Sequence, residues 1–187
     1  MFQQSYEIPL QKQVLGYYSH APEMPRKGRK PPALWSLHPK LHDEVAAILD
    51  EEGLHLDFLD VDDDDSNIRC RDTSIMGRFI CRNRRCRSKG WPSKRIPITI
   101  RMYPGQQYNA RVYHQSCRIC NGVGRPVLDA TYAERVCYWI KKWNGIEVER
   151  PPSAGQSRGP HDRDRCEGCK AGHCSGLYDD LVVDLDK

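Results

Sequence analysis

Nine cysteines stand in this chain of 187 residues, and six of them fall in close pairs: Cys81/Cys86 in "CRNRRC", Cys117/Cys120 in "CRIC" and Cys166/Cys169 in "CEGC". Two thiolates separated by two residues face one metal because the chain makes a tight knuckle, whose amides can hydrogen-bond the sulfurs. A four-residue gap also lies within the zinc-finger range. Each pair supplies half of a tetrahedron. The stretch "HDRDRCEGCKAGHC", residues 161–174, surrounds the third pair with His161, His173 and Cys174. Three pairs, Cys174 and one histidine make eight donors, enough for two zinc ions. By distance along the chain, Cys81, Cys86, Cys117 and Cys120 hold one ion, and Cys166, Cys169, Cys174 and a histidine hold the other. An interleaved partition, in which the last pair joins one of the earlier pairs, is also compatible with the sequence.

These donors point to structural rather than catalytic zinc. A zinc deaminase requires H-x-E and P-C-x-x-C. "HDE" at residues 42–44 fits the first part, but no proline precedes Cys117 or Cys166. A thioredoxin-like enzyme places its C-x-x-C at a helix start within a βαβ unit, whereas these pairs flank a hairpin or sit in a glycine-rich segment. A hydrolytic site keeps one coordination position open for water, and eight donors for two ions leave none. The expectation is a protein that is not an enzyme.

The start "MFQQSYEIPLQKQVLGYY" lacks the basic opening and apolar run of a secretory signal, and no stretch approaches the roughly 18 apolar residues of a membrane span. An odd number of cysteines without a signal predicts a reducing compartment, cytoplasmic or nuclear, in which thiols bind metal rather than pair. Cys137, beside apolar helix positions, reads as core, and Cys70 as a free thiol.

The elements that must position the donors follow from periodicity. Leu41, Val45, Ile48 and Leu49 predict a helix over residues 38–53 that stops at Gly53, with His38 and His42 as surface histidines. Ile96, Ile98, Ile100 and Met102 alternate with polar neighbours, Pro104-Gly105 turns the chain, and Tyr108, Ala110 and Val112 alternate again, which predicts a hairpin. Asp129 caps a second helix with the stripe Tyr132, Val136, Trp139, Ile140 and Trp143, ended by Asn144-Gly145. The fold class expected is a small α+β zinc-stabilised domain. It has a β-hairpin, zinc-ribbon-like core with one packed helix, preceded by another helix and flanked by flexible tails. Its divisions are a disordered tail over 1–33, a helix and acidic linker over 34–66, a zinc-binding domain over 77–174 and an acidic tail over 175–187.

The ordered combination "GRFICRNRRC", "WPSKRIPITI", "YNARVYHQSCRIC", "YAERVCYWIKKW" and "GPHDRDRCEGCKAGHC" resembles the 3CxxC zinc-binding family over about residues 77–174. That family includes receptor-transporting and zygote-arrest proteins of animals and many fungal proteins, and the wider first pair is closest to the fungal members. The resemblance implies that His161 and Cys174 accompany the third pair, and that His173 is left beside the site. It also implies RNA binding, as in the zygote-arrest members, or a protein-binding adaptor role, as in the receptor-transporting members. The latter typically carry a C-terminal membrane segment that has no counterpart here.

Charge favours the first of these. Residues 66–150 carry 18 Lys/Arg against 5 Asp/Glu, while residues 1–65 carry 6 against 13. Arg82, Arg84, Arg85, Arg87 and Lys89 surround the first knuckle, and Lys94, Arg95, Arg101 and Arg111 are placed to line the hairpin, with Trp91, Tyr103, Tyr108 and Tyr113 among them. Cations for phosphates and aromatic faces for unpaired bases suit RNA or another nucleic acid. Asp62 to Asp65 are expected to fold back on the knuckle arginines and compete with phosphate.

Overall fold

Isoleucine at every second position dictates the centre of the molecule, because a strand sends alternate side chains to opposite faces. The structure, a computed structural model, describes residues 31–152 and 161–174. Its elements run β1 (Trp35–Ser36), α1 (His42–Asp50), β2 (Asp57–Phe58), β3 (Arg69–Cys81), β4 (Trp91–Tyr103), β5 (Gln107–Tyr113), β6 (Gly124–Leu128), α2 (Thr131–Trp143) and α3 (Glu167–Lys170). The tail over 1–33, but for its last three residues, and the tail over 175–187 lie outside the described residues.

The expected hairpin is β4–β5, and it is the middle of a larger sheet. Among the described residues six strands join in the order β1-β5-β4-β3-β6, with β2 running parallel along β5. β3 pairs with β4 from Arg69 to Phe79, and β6 pairs with the end of β3 from Gly77 to Cys81. β1 and β2 hydrogen-bond to β5, so residues within 34–66 are part of the same sheet as the cysteine-bearing strands. No helix among the described residues is long and apolar enough to cross a membrane.

One face of the sheet carries the apolar core. Ile75, Ile96, Ile98, Ile100, Ala110 and Val112 meet Val45 and Leu49 of α1 and Tyr132, Val136, Cys137 and Ile140 of α2. The helix read over 38–53 is a 3-10 turn at Pro39–Leu41 followed by α1, and Gly53, at φ +69°, turns the chain out of it. Asp129 Oδ1 accepts from the Thr131 amide at 3.0 Å to start α2. Cys137 packs against α1, its Sγ 3.5 Å from the Val45 carbonyl. His38 and His42 are half-buried rather than on the surface. His38 meets the Ser36 hydroxyl, and His42 the Tyr108 hydroxyl at 3.1 Å.

The opposite face is polar and nevertheless buried. Thr99 and Asn109 are 0% exposed, and Arg101 and Tyr113 2%. The acidic tract covers part of this face, which corrects the expectation that it folds onto the knuckle. Asp62 and Asp64 each engage both Arg101 and Arg111, with Arg101 Nη1 to Asp62 Oδ1 at 2.9 Å and Arg111 Nη2 to Asp64 at 3.1 Å. Tyr103 donates to the Asp63 carbonyl and Asn109 to the Val61 carbonyl, so the tract is strapped down by its backbone too. Buried guanidinium groups without partners are very costly, and this explains why the tract settles here.

His114 fastens the chain entering β1. It is 1% exposed, with its Nδ1 donating to the Ala33 carbonyl at 2.8 Å and its Nε2 2.9 Å from the Ser36 hydroxyl. Burial pushes its pKa down to about 4, against the pull of the Ala33 carbonyl.

The strap and the buried histidine can each be tested by unfolding. Asp62→Asn should cost about 3–5 kcal/mol in urea unfolding of the zinc-loaded chain, because it removes the buried carboxylate and leaves Arg101 and Arg111 with only the exposed one of Asp64. Asp64→Asn should cost about 1 kcal/mol or less, because that carboxylate is 62% exposed. For His114 the unfolded chain takes up its proton near pH 6.5, before the folded chain does. Its contribution is therefore complete above that pH and falls as pH drops toward 4, by up to about 1.4 kcal/mol per unit. Asparagine keeps the donor to Ala33 without titrating, so His114→Asn should show the shallower loss of stability between pH 7 and 5.5. Parallel pH profiles would contradict this.

Candidate metal centres

The first knuckle closes the β3–β4 connection and the second the β5–β6 connection, so sheet pairing brings four cysteines together from two loops. Asn83 shapes the wide first loop. Its side-chain oxygen accepts from the Arg85 amide at 3.0 Å, and its carbonyl accepts from the Cys86 amide at 2.9 Å. The second loop closes through the Asn121 amide on the Cys117 carbonyl and the Cys117 amide on the Gly122 carbonyl, both 2.9 Å. In each knuckle an amide donates to sulfur, Ser88 to Cys86 Sγ and Ile119 to Cys117 Sγ, at 3.4 Å. Gly124 admits no side chain, because a Cβ there would stand 2.7 Å from the Trp91 ring.

Cys81, Cys86, Cys117 and Cys120 place their sulfurs within 4.8 Å of one another. Cys81 to Cys120 is 3.6 Å and Cys86 to Cys117 3.8 Å. Zinc–sulfur bonds of about 2.3 Å at tetrahedral angles separate sulfurs by about 3.8 Å, so this set is sized for zinc. The second set is His161, Cys166, Cys169 and Cys174, also within 4.8 Å, with Cys174 Sγ 3.5 Å from His161 Nε2. The partition is therefore sequential rather than interleaved.

His173 lies on the polar sheet face. Its ring stacks on Tyr113 with centroids 5.5 Å apart, and its Nδ1 is 3.0 Å from Asp72 Oδ2. Gly168 presses on Pro97 and Tyr113, where a Cβ would come within 2.7 Å of the proline ring, so the second set sits on the sheet beside the acidic tract.

The thiol electrostatics call for a cation. Burial raises the Cys117 thiol, but amides of Ile119 and Cys120 and donation from Cys86 outweigh it and bring the pKa down to about 6. Burial and its sulfur neighbours push Cys81 up to about 12. In the second set donation from Cys174 is the main force bringing Cys166 down to about 4, and Cys174 is pushed up in turn by Cys166. Sulfurs this close cannot all ionise alone, whereas a dication among them lets every one bind as thiolate.

The residues read as nucleic-acid contacts separate into two groups. Arg82, Arg84, Arg85, Arg87 and Lys89 are exposed around the first knuckle, and Lys94 is exposed and Arg95 half-buried on β4. Trp91 is half-buried, stacked on Phe79 at 5.5 Å, and its Nε1 donates to Gln115 at 2.6 Å. Five readings are corrected. Arg101 and Arg111 lie under the acidic tract, and Tyr108 is a core residue, 0% exposed. Tyr103 and Tyr113, each 2% exposed, are likewise unavailable for stacking bases. The sequence reading missed Arg125, exposed on β6 one step from the Cys81–Gly124 pair. It also missed Arg165, Asp162 and Asn121, whose bonds run between the two donor sets. Only their position beside ligands marked them.

Two four-donor clusters, each with the four ligands of a closed zinc site, on a small, mainly antiparallel sheet define a zinc-ribbon protein. A family model described as the 3CxxC zinc-ribbon, zinc-binding domain matches residues 74–172, more than half of the chain, and the chain belongs to that family. No curated protein and no solved structure matches it. The residues present would hold two zinc ions, whose chemistry here is charge compensation and cross-linking of loops.

Elemental analysis should give two zinc per chain, and exhaustive chelation should collapse the dispersed amide NMR signals of residues 74–172; dispersion that survives would refute metal-dependent folding. His161→Ala should release zinc from the second set at lower chelator concentration, while His173→Ala should retain both ions.

Proposed function

We propose that this chain is a non-catalytic zinc protein that binds nucleic acid, RNA foremost, through the exposed cations of the first knuckle. The observation that carries this reading is the loop itself. Arg82, Arg84 and Arg85 lie between the two ligands Cys81 and Cys86, with Arg87 and Lys89 immediately after, and all five are exposed. A rigid, metal-pinned loop presents these charges at little further cost in entropy, and guanidinium forks suit phosphate oxygens.

Burial of Tyr103, Tyr108 and Tyr113 changes the expected mode of contact. With these rings in the interior, recognition rests on the phosphate backbone rather than on stacked bases, which favours weak sequence dependence and strong salt dependence. Exposed Ile119, 54% accessible at the tip of the second knuckle, supports a second reading as a protein-binding adaptor.

The test is RNA affinity as a function of salt. A variant with Arg82, Arg84, Arg85 and Arg87 all changed to Ala should flatten the log–log salt slope on single strands by about 0.7 for each phosphate it no longer neutralises. Tyr108→Phe should leave binding unchanged. Absence of binding by the zinc-loaded chain at low salt would reject the nucleic-acid reading and favour the adaptor.

A further inference from the structure

The two donor sets are joined by side chains that flank their ligands. Arg165 precedes Cys166 and Asp162 follows His161 in the second set, while Arg118 follows Cys117 and Asn121 follows Cys120 in the first. Arg165 Nη1 donates to the Cys117 carbonyl at 3.1 Å and to Asn121 Oδ1 at 2.5 Å. Asp162 Oδ2 accepts from Arg118 Nε at 3.2 Å and faces Arg165 Nε at 3.3 Å. The backbone runs the same way. The Ser116 amide donates to the Arg165 carbonyl at 2.8 Å, and Gln115 forms a bridge with Cys166.

Arg165 meets the second knuckle where its backbone is least comfortable. Asn121 has φ +55°, a left-handed conformation that L-residues adopt at a cost, and its amide closes the knuckle on the same Cys117 carbonyl that Arg165 holds. The Arg165 side chain thus pins both ends of the turn that sets the Cys117–Cys120 separation. Its own placement depends on the segment 161–174, which backbone bonds and the His173 contacts hold to the sheet and which the second donor set closes on itself, from His161 to Cys174.

We propose that Arg165 is a positioning residue that couples the two zinc sites, so that metal in the second site preorganises the first and the ions bind with positive cooperativity. With the second site empty, the 161–174 segment loses its metal cross-link, and the backbone bonds that remain hold Arg165 less firmly. The first site must then hold the Asn121 turn unaided. Linkage makes the effect reciprocal: metal in the first site strengthens binding at the second by the same factor.

The experiment uses the full chain in graded chelator competition. Cobalt(II) substitution distinguishes the four-sulfur site from the three-sulfur, one-nitrogen site by absorption. Disabling the second site with Cys169→Ser and Cys174→Ser should weaken the first by about ten- to a hundredfold, the range of charge-assisted hydrogen bonds and allosteric couplings. Arg165→Ala should weaken the first site comparably while the second still loads, and should add little in the background lacking the second site. Arg165→Lys, which keeps the charge but loses the fork, should fall between. A first site unchanged within about twofold in Arg165→Ala, or an equal further loss when it is added to the double serine variant, overturns the proposal. If Arg165→Ala yields no folded protein, Arg165→Lys carries the comparison: a partial loss at the first site supports coupling, and none overturns it.

Discussion

Four sulfur donors packed within 4.8 Å of one another can all be thiolates only with a dication among them, and that constraint links this chain's loops. The first set joins the loop after β3 to the loop after β5, at the same end of the sheet. Neither loop has an apolar core of its own: Arg82, Asn83, Arg84, Arg85, Arg118 and Asn121 are all exposed. Structural zinc of this kind contributes on the order of 10 kcal/mol at neutral pH, enough to order segments that burial alone could not.

The second set performs a different task. It holds a short segment against the sheet, where Gly168 lies on Pro97 and Tyr113, and His173 stacks beside it. With the acidic tract, it roofs a face that the strands alone would leave polar and wet. The sheet is therefore covered twice, by two helices through apolar contact and by a strap and a metal clamp through ions and hydrogen bonds. The second cover is costly in desolvation, which the pairing of both Arg101 and Arg111 with both Asp62 and Asp64 offsets, although Arg101 Nε is buried without a hydrogen-bond partner.

This double cover explains what was legible in the sequence. The donors were, because thiolate chemistry demands fixed residue types at short spacing, and Val45, Leu49, Tyr132 and Ile140 were, because helical period betrays a buried stripe. β3 was not. Its alternate positions Arg71, Thr73 and Ile75 on one face and Cys70, Asp72 and Ser74 on the other mix polar and apolar residues on both, so no clean period of two survives. Arg101 and Arg111 were misjudged for the same reason. Alternation tells which face a residue shares, not whether something distant in sequence will cover that face. The covering residues, Asp62 and Asp64, lie 39 and 47 positions from the arginines they engage through Arg101 Nη1 and Arg111 Nη2 respectively.

The same covering decides where positive charge remains available. The acidic tract commits its two engaged carboxylates to the sheet arginines, so it leaves the knuckle uncompensated from that quarter. What stands nearest the knuckle cations is the metal cluster, since zinc with four thiolates carries a net charge of about −2. Part of the arginine charge must serve to offset that cluster, which would otherwise repel any phosphate. Five exposed cations, Arg82, Arg84, Arg85, Arg87 and Lys89, exceed what two negative charges can neutralise, and Arg125 adds to them from the neighbouring strand. The surplus lies on a loop whose shape the metal fixes. Positive potential at this end of the sheet is thus a property of the zinc-loaded state as a whole: without the ion the thiols would protonate in part, and the two loops would lose the cross-link that fixes how their cations are oriented.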